Sequence, residues 1–425
     1  MAMFTREAVE GLSTKLEEPQ WMREFRLAAF DVYESLPMPS TRDEAWRRTD
    51  IRPLRLEAIG PSLDGTGTAP AGLTPLLGAD AAGTLVQVDG ETVRCQLSED
   101  ARASGVLFTD MRTAVREHGE LVRRYFMTQA VRPNDGKFAA LHAAFWRGGT
   151  FLYVPPGVAL EAPLQSYLWG AEGKTFTHTL VLLERGASAT LVNQFASEGG
   201  GGQALHNGAV ELILGDDASL RLVTLQEWGR DVWQFTHERA LLGRGSALNW
   251  VTGSLGGRFL KSFQTVELSG AGATAQVSGL FFADGKQHFD HDTEQNHNMP
   301  DTVSDLLYKG AVKEKGRSVW QGMIRVLPNA QRTNGYQAIR NLLLDKTARA
   351  DSIPGLEIEA DDVRCTHGAT AGQVDRDQVF YLMSRGLPRP DAVRLVVSGF
   401  FAPVLERIPL LAARERLQAA IEARI

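Results

Sequence analysis

GASATLVNQF (186–195) opens on a glycine, passes a small residue and then alternates apolar positions. The same shape returns in DASLRLVTLQ (217–226), GSALNWVTGS (245–254) and GATAQVSGLF (272–281), with starting points 27 to 31 residues apart. A fixed period of this size in strand-forming sequence marks a solenoid, in which each coil covers the apolar face of the one before it. Long helical crossovers do not separate the strand-like runs, which argues against a doubly wound parallel sheet. An antiparallel sandwich would need roughly ten hairpins, and their turn residues are not there. A parallel β-helix stack over residues 136–371 is the expected core.

The regions on either side differ in texture. In EEPQWMREFRLAAFDVYESLP (17–37), Trp21, Phe25, Ala28 and Ala29 recur at helical spacing, and the following prolines end the helix. Thr41 and Glu44 have capping-box spacing for a short second helix. GTLVQVDGETVRCQL (83–97) reads as a hairpin about Asp89-Gly90, with Cys95 a structural thiol in an ordinary strand. These features place a helical, partly α/β domain at 1–135. From 372 the chain turns helical again: Asp375 can cap DQVFYLMSRG, with Gln378 at the capping-box position and Gly386 as the stop. PDAVRLVVSGFFAPVLERI then carries a wide apolar face that includes Val393, Val396, Val397, Phe400, Phe401, Val404 and Leu405. A C-terminal helical domain at 372–425 can seal the solenoid's end or present a docking surface.

Composition narrows the function. Of 425 residues, 43% are hydrophobic and 23% charged, and the formal charge is -6, which excludes a nucleic-acid-binding surface spread over the molecule. No apolar run approaches the roughly 18–20 residues that span a bilayer, and MAMFTREAVEGL lacks the apolar stretch of a signal peptide, so a cytoplasmic location is expected. The two cysteines, Cys95 and Cys365, are expected to be free thiols in that compartment. They cannot by themselves build a four-cysteine zinc or iron–sulfur site.

Three stretches suggest chemistry. WGAEGKTFTH (169–178) contains Gly173-Lys174-Thr175, but a phosphate loop needs glycine at the position of Leu168, so ATP hydrolysis by this chain is not expected. KQHFDHDTEQNHNMP (286–300) gathers His288, Asp290, His291, Asp292 and His297, types suited to a divalent metal at separations that match no ligand motif; a hydrogen-bonded turn is the competing reading. Asp290, Asp292 and Asp301 with Lys309 and Arg317 could be stretched into the groove of a β-helix hydrolase, an alternative that the missing secretion signal disfavours. No serine-nucleophile elbow is present.

The third stretch is LEIEADDVRCTHG (356–368). Read as one extended chain, it sets Leu356, Ile358 and Ala360 on one side and Glu357, Glu359, Asp361, Val363, Cys365 and His367 on the other. Cysteine and histidine two apart on a strand project together, as two metal ligands, as a thiol beside a base, or as two packed side chains. Two ligands do not complete a tetrahedral site, so a metal or cluster here needs donors from a second chain.

EAWRRTDIRPL (44–54), YVPPGVALEAPLQ (153–165) and NLLLDKTARADSIPGLEIEADDVRCTHGATAGQVDRDQVFYLMSRG (341–386) together resemble the SufB/SufD family of iron–sulfur cluster assembly proteins. SufB members carry a glutamate–histidine–glutamate run before an alanine–threonine pair. This chain has Cys365-Thr-His367-Gly368 there and no cysteine between about 136 and 360, which is similar to the SufD side of the family.

The resemblance implies a mainly β fold: a right-handed parallel β-helix core flanked by N-terminal and C-terminal helical domains. It implies pairing with SufB through the β-helices and binding of the ATPase SufC through the C-terminal helices, with Phe380, Val396, Phe400 and Phe401 as docking candidates. Cys365 and His367 are implied to lie at the SufB interface as candidate iron ligands, His367 the stronger. The cargo would be transient iron or a nascent cluster, with none bound stably by this chain alone. The chain would be a non-catalytic scaffold; a purely structural partner of SufB is the alternative. In isolation its exposed sheet edges are expected to support a homodimer.

Overall fold

A computed structural model describes residues 4–59, 76–77, 80–171, 173–408 and 410–425. The first three residues of the sequence lie outside the described ones. Near the N-terminus come helices α1 (Arg6–Lys15), α2 (Gln20–Ser35) and α3 (Leu56–Ile59), then strands β1 (Gly83–Val88) and β2 (Glu91–Leu97). Helix α4 (Glu99–Ala103), strand β3 (Leu107–Asp110) and helices α5 (Met111–Glu117), α6 (Gly119–Tyr125) and α7 (Lys137–Phe145) follow. Sixteen strands succeed one another from there: β4 (Gly148–Val154), β5 (Leu164–Gly170), β6 (Lys174–Leu183), β7 (Ser188–Ser197), β8 (Ala204–Leu214), β9 (Ser219–Glu227), β10 (Val232–Leu242) and β11 (Ala247–Ser254). The second eight are β12 (Phe259–Leu268), β13 (Thr274–Ala283), β14 (His288–His297), β15 (Val303–Val312), β16 (Arg317–Val326), β17 (Thr333–Leu343), β18 (Arg349–Ile358) and β19 (Val363–Gln373). Helices α8 (Arg376–Ser384), α9 (Arg389–Leu405) and α10 (Leu411–Glu422) close the chain.

Successive strands alternate between two sheets. One has ten strands in the order β2–β1–β5–β7–β9–β11–β13–β15–β17–β19, the other nine in the order β3–β4–β6–β8–β10–β12–β14–β16–β18. Every pairing from β4 onward is parallel, so the chain winds as the expected β-solenoid. The antiparallel hairpin β1–β2 turns on Asp89 (φ 50°) and Gly90 (φ 82°), as its Asp-Gly pair predicts, and finishes one sheet.

The repeat has a physical cause. Gly186, Asp217, Gly245 and Gly272, the first residues of the four copies, all have φ between 58° and 73°. Each turns a corner in the left-handed region, which glycine occupies without strain and aspartate tolerates. Their N–H groups donate to the next coil, Gly186 to Asp216 O at 2.8 Å and Asp217 to Arg244 O at 2.7 Å. Asp301 and Arg332, at φ 61° and 60°, turn the same corner in two further coils that the sequence pattern did not flag.

Inside the coils, side chains stack in columns. Leu191, Leu222, Trp250, Val277 and Leu306 follow one another through the register of β7, β9, β11, β13 and β15 and are all buried. The opposite faces of the sheets carry the flanking helices. α7 lies buried against the nine-stranded sheet, and α9 and α10 pack Val397, Phe401, Val404 and Leu417 onto Val223, Val251 and Leu280 of the ten-stranded one.

Two local expectations change. Thr41 caps nothing: the second helix is a single 3-10 turn, Glu44–Trp46, entered from Asp43, whose carboxylate accepts the Ser40 N–H at 2.8 Å. The extended chain 356–368 breaks at 359–362, because β18 and β19 belong to different sheets, so the acidic residues and Cys365 do not share one alternating face.

Candidate functional site

β19 is the last strand of the ten-stranded sheet and β18 the last of the nine-stranded one, so among the described residues the outer edges of both are unpaired. This final coil is the open end of the solenoid. The column Leu306 extends to Gln337 on β17 and then to His367 on β19; beside it Ala275, Ser304, Gly335 and Cys365 form the neighbouring column. Cys365 and His367 therefore occupy core-facing positions in a coil that no further strand covers among the described residues. The first of these columns, apolar from Leu191 to Leu306, becomes amide at Gln337 and imidazole at His367, with the Cys365 thiol beside it at the mouth.

Cys365 is half-buried against Ile324, Val326, Ala330 and Ala360. Burial pushes its thiol up, partly offset by the backbone of Gly335 beneath it. Packing is close there: a Cβ at Gly335 would lie 3.2 Å from Cys365 Sγ, 3.2 Å from Ile324 Cγ2 and 3.4 Å from His297 Nε2. His367 is exposed. One coil down, Gln337 donates to Gly322 O and Gly355 O, which fixes its amide and leaves Oε1 buried without a partner. Among the described residues no three His, Cys, Asp or Glu side chains converge as a metal site. A metal held by Cys365 and His367 would have two donors from these residues, short of a tetrahedral set.

The histidine–aspartate stretch takes a different role. Asp290 and Asp292 on β14 both accept from Lys261 Nζ on β12, each at 2.9 Å, and Lys261 also donates to Ala45 O at 2.7 Å. Thr49 donates to Asp290, and Gln321 to Asp292. Desolvation raises both carboxyls above their usual range. The cluster is a buried clamp that fastens residues 45–49 to the nine-stranded sheet, with an ammonium where a metal reading would need a cation. It is a strand rather than a turn. His297 is buried, with Nδ1 on Thr302 and Nε2 on Ser304.

The hydrolase groove does not assemble. Asp290 and Asp292 lie under the N-terminal segment, Asp301 pairs with Arg332 at a corner, and Lys309 sits on the other sheet, donating to Phe400 O at 2.6 Å. Gly173 and Lys174 lead into β6. Cys95 lies in a strand as expected, the edge strand β2, where it is exposed with its sulfur turned toward Phe108 O at 3.6 Å.

The four C-terminal aromatic and aliphatic candidates separate. Phe380 is 72% exposed on α8, Val396 and Phe400 are half-buried, and Phe401 is 0% exposed in the core beneath α9. Asp375 caps α8 through the N–H groups of Asp377 and Gln378, and Gly386 (φ 93°) follows its end, as expected. The exposed face also contains Tyr381, Met383, Leu387 and Leu395, which the sequence reading did not single out. A groove between α8 and α9 is lined by Gln378, Tyr381, Leu395, Val396 and Phe400. Among the described residues, no helix is long and apolar enough to cross a membrane.

Comparison with known proteins bears on both ends. The family described as "SUF system FeS cluster assembly, SufBD core domain" matches residues 167–400, and "SufBD protein N-terminal region" matches residues 81–166. The chain is 33% identical to iron-sulfur cluster assembly protein SufD of Bacillus subtilis (strain 168), over 99% of this chain and 98% of that protein. It is 30% identical to SufB of the same organism and to an iron-sulfur cluster assembly SufBD family protein of Staphylococcus epidermidis (strain ATCC 12228), each over 96% of this chain and 90% of the relative.

Proposed function

The chain belongs to the SufBD family of iron–sulfur cluster assembly proteins, and on that premise we propose that it acts as a SufD-type scaffold subunit whose open coil meets SufB. One observation carries this reading: the core-facing columns of the uncapped last coil end in Cys365 and His367, ringed by the unpaired edges of β18 and β19. A second solenoid seated there would pair those edges, cover Leu356 and Ile358, and bring its own donors to the thiol and imidazole. His367, exposed at the rim, is the readier iron ligand; Cys365 can follow once its thiol gives up its proton. Iron and the nascent cluster are cargo, built between two chains in the cytoplasm and held by neither chain alone.

SufC is assigned to the exposed face of α8 and α9, with Phe380 at its centre and Val396 and Phe400 at its edge. ATP hydrolysis then belongs to that partner, and this chain contributes ligands and a mechanical link. α9 is tied to β15 by Lys309, whose amine burial and the nearby Arg340 and Arg407 lower to about 8. A pull on the helices reaches the β-helix through that contact. Without SufB, the same open edges would bring two copies together.

The test is reconstitution of the complex of this chain with SufB and SufC, using iron and sulfide. His367→Ala is expected to abolish cluster formation while all three subunits stay associated. Dissociation of the complex would make His367 an interface residue and overturn the ligand role. The apolar packing of Cys365 favours a second reading for that residue, as a plug of the interface. An unchanged Mössbauer spectrum in Cys365→Ser would establish it.

A further inference from the structure

Away from the open end, a chain of buried polar groups joins the N-terminal region to the β-helix. His142 on α7 bonds the Asn207 carbonyl through Nδ1 at 3.1 Å and reaches His178 Nδ1 on β6 through Nε2, also at 3.1 Å. His178 Nε2 lies 3.0 Å from Glu211 Oε2 on β8, off the line of an ideal ring N–H bond. Glu211 in turn accepts the N–H of Met127 at 2.7 Å and of Val131 at 3.1 Å. His142, His178 and Glu211 are all fully buried.

Hydrogen-bond roles fix most of the protons. A carbonyl oxygen only accepts, so His142 Nδ1 carries hydrogen. In the neutral ring its Nε2 is then a lone pair, and His178 Nδ1 must donate to it. That leaves His178 Nε2 facing a carboxyl oxygen at 3.0 Å. Two lone pairs at this distance repel, so one hydrogen lies between them. It makes either a buried imidazolium–carboxylate pair or two neutral groups.

The surroundings favour the neutral pair. The ring of Phe126 lies 4.2 Å from that of His178, and burial without full solvation penalises both charges. Arg239, in register with Glu211 on β10, favours the carboxylate but directs its Nη1 to Ala130 O and Asp135 and bonds nothing through Nε among the described residues, and Arg26 bonds Glu18. His206 and His237, the other ionisable groups close by, are themselves buried and held neutral by desolvation. We infer that Glu211 keeps its carboxyl proton at neutral pH, and that this proton, held against His178, latches α7 and the 126–131 segment onto the β-helix.

Desolvation raises Glu211 to about 8 and lowers His178 to about 3, in line with that assignment. A carboxyl raised in the folded state contributes stability that is complete below its unfolded value, near 4.5, and lost as pH rises through about 8. The two histidines act oppositely, below their ordinary 6.5. On the alkaline side the latch therefore answers to Glu211. Once ionised, the carboxylate would be buried without a committed cation, and the 126–131 segment must admit water or draw Arg239 from its partners.

Infrared difference spectra of the full chain at pH 7 test the proton directly. Subtracting E211Q from wild type is expected to leave the C=O band of a protonated carboxyl; identical spectra would overturn the inference. Hydrogen exchange over residues 126–145, corrected for intrinsic rates, tests the latch. Wild type should lose protection severalfold between pH 7 and 9 while E211Q holds it constant; flat wild-type protection across that range would overturn it. If E211Q does not fold, the amide resonances of Met127 and Val131, whose N–H groups Glu211 accepts, report its ionisation in the wild type. A shift of both with a midpoint between pH 7 and 9 then sustains the assignment, and a midpoint below pH 7 or no transition overturns it.

Discussion

Gly335 lies directly beneath Cys365 in the inward column of the last two coils of the ten-stranded sheet, and a methyl group placed on it would sit 3.2 Å from the thiol sulfur. The cysteine thus owes its depth at the open end to the missing side chain of its neighbour. Gly335→Ala would crowd sulfur and Ile324 together while reducing the freedom of the unfolded chain. The two effects offset to within about 1 kcal/mol. Alkylation is the sensitive readout: the sulfur should be displaced outward, and Cys365 should react severalfold faster in the variant. An unchanged rate would mean that the thiol position does not depend on this contact.

Within the closed part of the solenoid, glycines face aromatic rings more severely. A Cβ on Gly310 would lie 1.9 Å from Phe281 Cζ, and one on Gly279 2.2 Å from the Tyr308 ring. Both rings are buried, with nowhere to turn. Gly310→Ala should destabilise the protein by about 3 kcal/mol, the upper end of overpacking costs. Chemical denaturation would register it as a lower midpoint, with Gly368→Ala, where nothing stands within 4 Å, as the control.

Lys261 serves two carboxylates at once, so its loss should depend on pH. Lys261→Met leaves Asp290 and Asp292 buried without their cation, at a cost of about 3–5 kcal/mol in alkaline solution. Both carboxyls are raised in the folded state, Asp292 to about 7 against an ordinary 3.8. The sign follows: a raised carboxyl favours folding below its unfolded value and loses that contribution as pH rises through the folded one. The variant's deficit should therefore be larger at pH 8 than at pH 5, as urea unfolding at the two pH values would reveal. An equal deficit at both would show that Lys261 stabilises through packing on Trp46 and Phe263 instead.

Phe380 and Phe401 lie on adjacent C-terminal helices with opposite expectations. Phe401 is enclosed by the ten-stranded sheet, and Phe401→Ala should cost about 3–5 kcal/mol. Phe380→Glu replaces a side chain that is 72% exposed and should leave stability within about 0.5 kcal/mol, while weakening the proposed SufC binding by at least tenfold in calorimetry. Unaltered binding would remove α8 from the docking surface.

The lessons of the sequence differ by scale. Four repeat starts marked the solenoid because left-handed corners restrict residue choice, and glycine and aspartate satisfy them visibly. Arg332 turns the same corner unseen, since the stacked coils hold it there and its side chain is no turn signal. The capping of α8 by Asp375 and the shared face of Cys365 and His367 were equally legible, both being set within a few residues. The burial of Phe401 beside an exposed Phe380 was not, because an apolar stripe does not say which of its faces meets the sheet.

What the sequence determined by itself was therefore local: periodicity, corners, caps, and a thiol two residues from an imidazole. The tertiary structure decided that Lys261 would clamp Asp290 across 29 residues, that 359–362 would carry the chain from one sheet to the other, and that the columns ending in Cys365 and His367 would meet no further strand among the described residues. Each depends on coil-to-coil register, which sums the lengths of whole coils and their corners. Alternation along one strand records a face, and only the stack records what lies above and below it.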